Sequence, residues 1–355
     1  MIVVGVISGP LYDMGYLRTL VYTGTFLSVL GLMMTSIASE YYQIFLSMGV
    51  CVGLGSGCLF VPSVAIVSTY FSTKRAAATG LTAAGGSVGK LDAKSLRPGV
   101  DENIGGVIFP IVFRRLQTQV GYGWAIRVIA FIVLATMGVS AAVLKPRILP
   151  AKKRTLIDIR AFKEGPYVLF SVALFMIFIG LYIPFFYIPS FSMLELHLNK
   201  DLSFYMLAIM NGASIFGRIG PNILADKVGA LNVLIPFTFI AGGLAFAWIA
   251  LENLAGVIVF SILYGFFSGA IVSLPPSALV ILSPDLSVIG TRLGMCFSFA
   301  GFGLLIGNPI AGVLLNSDAG YAGLESFCGA TVLAGFVFMS LAYLVHRQQK
   351  TGNFV

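Results

Sequence analysis

Long apolar runs recur along the chain at roughly 17–39, 42–71, 124–144, 166–190, 203–224, 231–251, 254–282, 289–315 and 324–345, with turn residues and charges between them. A bilayer span takes about 20 mostly apolar residues in a helix, and these runs reach that length. They lack the two-residue alternation of barrel strands, so membrane helices are predicted. Two stretches break the pattern. Met1 to Ser8 is apolar but short, and it runs directly into Gly9-Pro10-Leu11-Tyr12-Asp13. Without a charged leader or a small-residue cleavage site it makes a poor signal peptide. It reads as the tail of a second helix, with a first helix missing before it. The other break is at 76–113. Ala76–Gly89 is a small-residue helix and Gly106–Phe113 is apolar again, while 90–105 carries six charges in 16 residues. Joined across that segment, the flanks make one span, the fifth helix, with 90–105 as a polar insert. Gly89-Lys90-Leu91 and Ile104-Gly105 admit codons with a GT donor and an AG acceptor, so the insert is read as retained intron.

Composition narrows the classes. The 355 residues are 58% hydrophobic and only 10% charged, with a mean hydropathy of +0.95; soluble domains carry about 25% charge. Too few charges exist to coat a water-soluble fold, which excludes a soluble enzyme, a nucleic-acid binder and a disordered chain. The net charge of +8 is not spread evenly. With alternating topology, fourteen of the Lys and Arg residues fall on one side of the membrane and three on the other. That is the positive-inside bias, and it makes the basic run 145–163 a cytoplasmic connector suited to anionic lipid. The run lacks the interleaved aromatics of a nucleic-acid groove. Cys51, Cys58, Cys296 and Cys328 lie in apolar stretches with no CxxC spacing, as small buried hydrophobes do.

The connector divides the chain into related parts. Leu11-Tyr12-Asp13 and Leu224-Ala225-Asp226 each follow a helix and precede glycine and a basic residue. The expected organisation is a first half at 1–144, a linker at 145–165, a six-helix second half at 166–346 and a cytoplasmic tail at 347–355. This is an all-α membrane protein, a two-half helical bundle with about 10–11 of 12 transmembrane helices, as in major-facilitator transporters. Tyr70-Phe71-Ser72-Thr73-Lys74-Arg75-Ala76-Ala77-Ala78-Thr79-Gly80-Leu81-Thr82-Ala83-Ala84-Gly85-Gly86-Ser87-Val88-Gly89 resembles the fifth-helix signature of the monocarboxylate transporter family. The segments 180–190, 273–277 and 282–285 look like its fungal branch. The resemblance covers almost all the chain except 90–105, and the family's first-helix signature has no counterpart.

Charges inside the spans carry the functional reading. Acidic residues and both histidines fall in loops, at span ends or in the insert, leaving Arg127 and Arg218 within spans. A charge at mid-bilayer costs about 2.5–3.5 kcal/mol on insertion scales, so a retained one implies a function. Arg127 is near a helix end and snorkels. Arg218, in Ser214-Ile-Phe-Gly-Arg-Ile219, resembles the eighth-helix arginine that binds substrate in monocarboxylate transporters; the acid of that pair is here Ser214. In this architecture the fourth, seventh and tenth helices usually face the cavity. That adds Phe60, Ser63, Tyr182, Phe186, Tyr187, Tyr264 and Ser268 as substrate contacts, with Asn211 and Ser214 on the eighth helix. Asp13 with Arg18, and Asp226 with Lys227, resemble the facilitator loop motif that latches one conformation. No catalytic, metal or cofactor set is present, so an enzyme is not expected. The expected function is secondary transport of a small organic anion, a monocarboxylate or a related metabolite by alternating access. Alternatives are efflux of a secondary metabolite and a truncated, intron-retaining product that does not transport. The expected partners are a small anionic substrate and membrane lipid, with no nucleic acid. The expected site is the plasma membrane, ahead of vacuolar or other internal membranes.

Overall fold

The computed structural model describes residues 4–70, 74–85, 105–143, 158–283 and 289–352. The insert expected at 90–105, save Gly105, lies outside the described residues, as does the linker up to residue 157. The first half of the chain forms α1 (Gly5–Asp13), α2 (Leu17–Thr35), α3 (Tyr41–Ile44), a π-helical stretch (Phe45–Val52) leading into α4 (Gly53–Tyr70), α5 (Arg75–Gly85) and α6 (Gly105–Val143). A short 3-10 turn (Ile159–Lys163) then leads to α7 (Gly165–Gly180), α8 (Ile183–Leu194), α9 (Lys200–Val228), α10 (Ala230–Ala247), α11 (Leu254–Ser273), α12 (Pro275–Leu282), α13 (Ile289–Leu315) and α14 (Gly320–Gly352). Among the described residues there is no strand, and nine helical stretches are long and apolar enough to cross a membrane.

The breaks in these helices have local causes. Proline has no N–H and its ring crowds the carbonyl four residues back. Pro184 therefore parts α7 from α8 and frees the Gly180 carbonyl, while Pro275 and Pro276 part α11 from α12. α6 turns at Gly121, whose φ of 82° and ψ of 168° are open to glycine alone. The turns after Asp13 and Asp226 both pass through a glycine at positive φ, Gly15 at 90° and Gly229 at 97°. The short echo in the sequence thus corresponds to the same backbone device in both halves.

In lipid no water-driven force gathers helices, so close packing at small residues does. The tightest seam joins α9 to α11. Gly217 lies on the carbonyl of Phe266, Gly265 on that of Met210 and Gly269 on that of Ser214. α7 packs against α13 and α14, α10 against α14, and α2 against α4 and α6. The two halves meet through α5 on α9 and α1 on α13. This places the end of α9 that carries Arg218, Asn222 and Asp226 against α5.

Candidate functional site

Arg218 sits at this junction. Its Nη1 donates to the carbonyl of Ala83 on α5 at 2.7 Å, and its Nε is buried without a hydrogen-bond partner. Among the described residues no carboxylate lies within ion-pair distance of it. The ionisable side chain nearest in influence to it is Tyr182, a neutral phenol at the α7–α8 break. One turn on, Asn222 is fully buried and donates Nδ2 to the Arg218 carbonyl at 2.7 Å and to Ser273 Oγ at 2.6 Å. Asn222 Oδ1 is buried with no partner. Another turn on, Asp226 accepts from the backbone N–H of Ala76 and of Ala77, both at 2.9 Å. A helix leaves its first N–H groups unpaired, and a carboxylate there suits both the orphan donors and the helix dipole. Thr79 and Ser277 share a hydrogen bond of 3.1 Å across the same junction. One face of α9 therefore carries a cation, an amide and a carboxylate in succession, all against α5 or the end of α11.

The other expected site residues separate into groups. Tyr182 is half-buried between Phe178 and Phe185, with ring centroids 6.0 and 5.7 Å away. It is the aromatic the structure brings to Arg218. Phe60 crosses between the halves, meeting Phe297 of α13 edge-on at 5.5 Å. Ser63, Asn211 and Ser214 bond to carbonyls of their own helices, those of Leu59, Leu207 and Asn211. Tyr264 is fully buried and donates to the Leu181 carbonyl at 2.9 Å. Ser268 is buried and donates to Gly265. Tyr264 thereby joins α11 to the α7–α8 break, while the Ser268 bond stays within α11. Phe186 is 61% exposed, and Tyr187 turns toward α13, its hydroxyl 3.4 Å from the Asn308 carbonyl. Arg18 and Lys227 are exposed, and the side chain of Asp13 lies outside the described residues.

Two cations differ from the sequence expectation. Arg292 was expected in a loop. It is instead 3% exposed inside α13, where Nε meets Asp158 at 2.9 Å and Nη1 and Nη2 meet Glu164 at 2.7 and 2.6 Å. Arg127 is not a bare snorkelling charge: its Nε donates to Ser36 at 3.1 Å and its guanidinium lies 5.0 Å from the Trp124 ring. Asn222 was missed by the sequence reading, although its signal was present as an amide one turn beyond a lone intramembrane arginine. Among the described residues no cluster of His, Cys, Asp and Glu could hold a metal.

The Major Facilitator Superfamily profile matches residues 102–285. An MFS-type transporter of Emericella nidulans, dbaD, is 41% identical over 95% of this chain and 73% of its own length. The aspyridones efflux protein apdF of the same organism is 36% identical over 94% of this chain and 65% of its own, so the chain spans somewhat less than two thirds of that relative. Neither is described as a monocarboxylate transporter. The crystal structure of the human organic anion transporter MFSD10 overlays with a TM-score of 0.71 at 12% identity, covering 95% of this chain and 81% of that one, which speaks for the fold alone. These relatives are transporters, not enzymes. The chain belongs to the Major Facilitator Superfamily and is an integral, multi-pass membrane protein of that transport family.

Proposed function

We propose that this chain exports a small organic metabolite bearing negative charge, by alternating access, with Arg218 meeting the charge. The supporting observation is the state of the guanidinium. Among the described residues it is held where the two halves meet by one bond to a backbone carbonyl, with Nε unserved and no carboxylate beside it. A buried cation lacking its counter-charge is costly, and an anionic cargo supplies one. The efflux direction takes its support from the aspyridones efflux protein among the relatives, which favours export over uptake of a monocarboxylate. A monocarboxylate is the narrower form of the same reading, since its carboxylate would meet Arg218 in the same way.

The rocking units are 1–144 and 166–346, joined by 145–165. Asp226 is the latch on the cytoplasmic side, where it caps α5 of the opposite unit. Tyr182, Phe60 and Asn211 are the nearer cargo contacts, and the plasma membrane is the expected address. The test is export from cells expressing the chain, with metabolite retention read by mass spectrometry. Wild type lowers retention of acidic metabolites, and Arg218→Gln restores it with membrane insertion unchanged. Retention indifferent to Arg218→Gln refutes the assignment.

A further inference from the structure

A carboxyl group lies buried away from Arg218. The sequence pattern starts the last apolar run at 324, but α14 begins at Gly320, which carries Glu325 more than a turn into the helix. Glu325 is 2% exposed, and its Oε1 is buried with no hydrogen-bond partner. Among the described residues no cation forms an ion pair with it. In this conformation the ionised form has no cation to balance it, so burial favours the neutral acid, which carries no charge to compensate.

Its surroundings are polar in an unusual way. One turn before it, the Tyr321 hydroxyl is also buried without a partner. Trp248 Nε1 and Ser192 Oγ share that condition in residues with no exposed surface. Phe191 ties them together, its ring 5.7 Å from Trp248 and 5.2 Å from Tyr321. Each buried unmade bond is costly. Four such groups therefore gather at the outer ends of α8, α10 and α14. The ionisable neighbours are Glu195, exposed at the end of α8, and Tyr321 and Cys328 on the same helix as Glu325; Tyr187 of α8 faces Tyr321. Trp248, following α10, cannot ionise.

The position has a mechanical consequence. Cys328, one turn further along α14, donates Sγ–H to the Gly180 carbonyl at 3.3 Å, the carbonyl that Pro184 frees. Tyr264 serves the next one, Leu181. Glu325 thus lies one turn outward of the seam that holds the α7–α8 break, and Tyr182 follows that break toward Arg218.

We propose that Glu325 is a proton-exchange site outside the cargo site, and that its protonation sets the geometry of the α7–α8 break. The proton comes from the outer solution: an O–H bond forms on Glu325 as one breaks on hydronium, and the reverse step returns it. The consequence for transport rests on the function proposed above; the protonation does not.

The test needs no cargo. The whole chain in lipid nanodiscs is titrated between acid and alkaline buffer and read by infrared difference spectroscopy. The expected result is a protonated-carboxyl C=O band that titrates in wild type and is lost in Glu325→Gln. In parallel, hydrogen exchange over 180–188, corrected for intrinsic rates, differs between the two buffers in wild type and not in the variant. If Glu325→Gln does not fold, Glu325→Asp serves, with the band shifted in frequency. A band unchanged in the variant, or exchange at the break indifferent to pH, overturns the proposal. Neither outcome depends on Arg218, so failure here is separable from failure of the export reading.

Discussion

The Asp226 carboxylate accepts the backbone N–H of Ala76 at 2.9 Å, across 150 residues of sequence and the junction between the two halves. The second oxygen does the same for Ala77, so a side chain of one half terminates a helix of the other. Hydrogen bonds to a charged group contribute about 1.5–3 kcal/mol each. Asp226→Ala should therefore shift the conformational ratio toward the inward-open state by tenfold or more. A cysteine placed at Ala83 would report this as faster labelling by an impermeant maleimide from the cytoplasmic side. Unchanged labelling would mean that the contact holds nothing.

Arg292 should behave as a buried ionic clamp. It meets Asp158 and Glu164 through three short bonds. Removing one partner of such a group costs about 3–5 kcal/mol, whereas replacing partners together costs far less. Arg292→Met alone should lower the detergent melting temperature strongly. Arg292→Met with Glu164→Gln should recover part of that loss. Additive losses would show that the pairing has no net worth.

Two glycines on one helix make a matched pair. A side-chain carbon at Gly217 would collide with the Phe266 carbonyl, while one at Gly220 would meet nothing within 4 Å. Overpacking costs about 1–3 kcal/mol. Gly217→Ala should reduce the yield of monodisperse protein on size exclusion, and Gly220→Ala should not. Equal behaviour would contradict the α9–α11 seam.

Tyr264→Phe removes the donor to the Leu181 carbonyl without changing the ring. Leaving that buried carbonyl unserved should cost about 1–3 kcal/mol, read as a lower melting temperature and faster hydrogen exchange at 181–185. A melting temperature equal to wild type would remove the brace from the account.

The spans were legible because the bilayer demands length and apolarity together, and no other requirement writes that pattern. Pro184 and the Pro275-Pro276 pair lie at helix breaks, whereas Pro62 and Pro189 sit inside α4 and α8, so proline alone does not mark where a span is broken. Arg218 stood out as a lone charge deep in a span, and the structure puts it where the halves meet. The helix face was the illegible part. Tyr264 and Ser268 belong to a helix apolar on all sides, so no pattern distinguishes a packed face from one open to a cavity. Glu325 was assigned to a span end because hydropathy starts the oily stretch at 324, whereas hydrogen bonding starts the helix at Gly320. Arg292 was assigned to a loop because its partners, Asp158 and Glu164, lie far from it in sequence. Asn222 was overlooked because one amide hardly changes a hydropathy average.

The most direct test of the Arg218 claim is counterflow in proteoliposomes with an aromatic carboxylate and its methyl ester as paired probes. Wild type should carry the acid at least tenfold faster than the ester, and Arg218→Gln should abolish that preference while the protein stays inserted and monodisperse. An acid-over-ester preference that survives in Arg218→Gln would contradict the account.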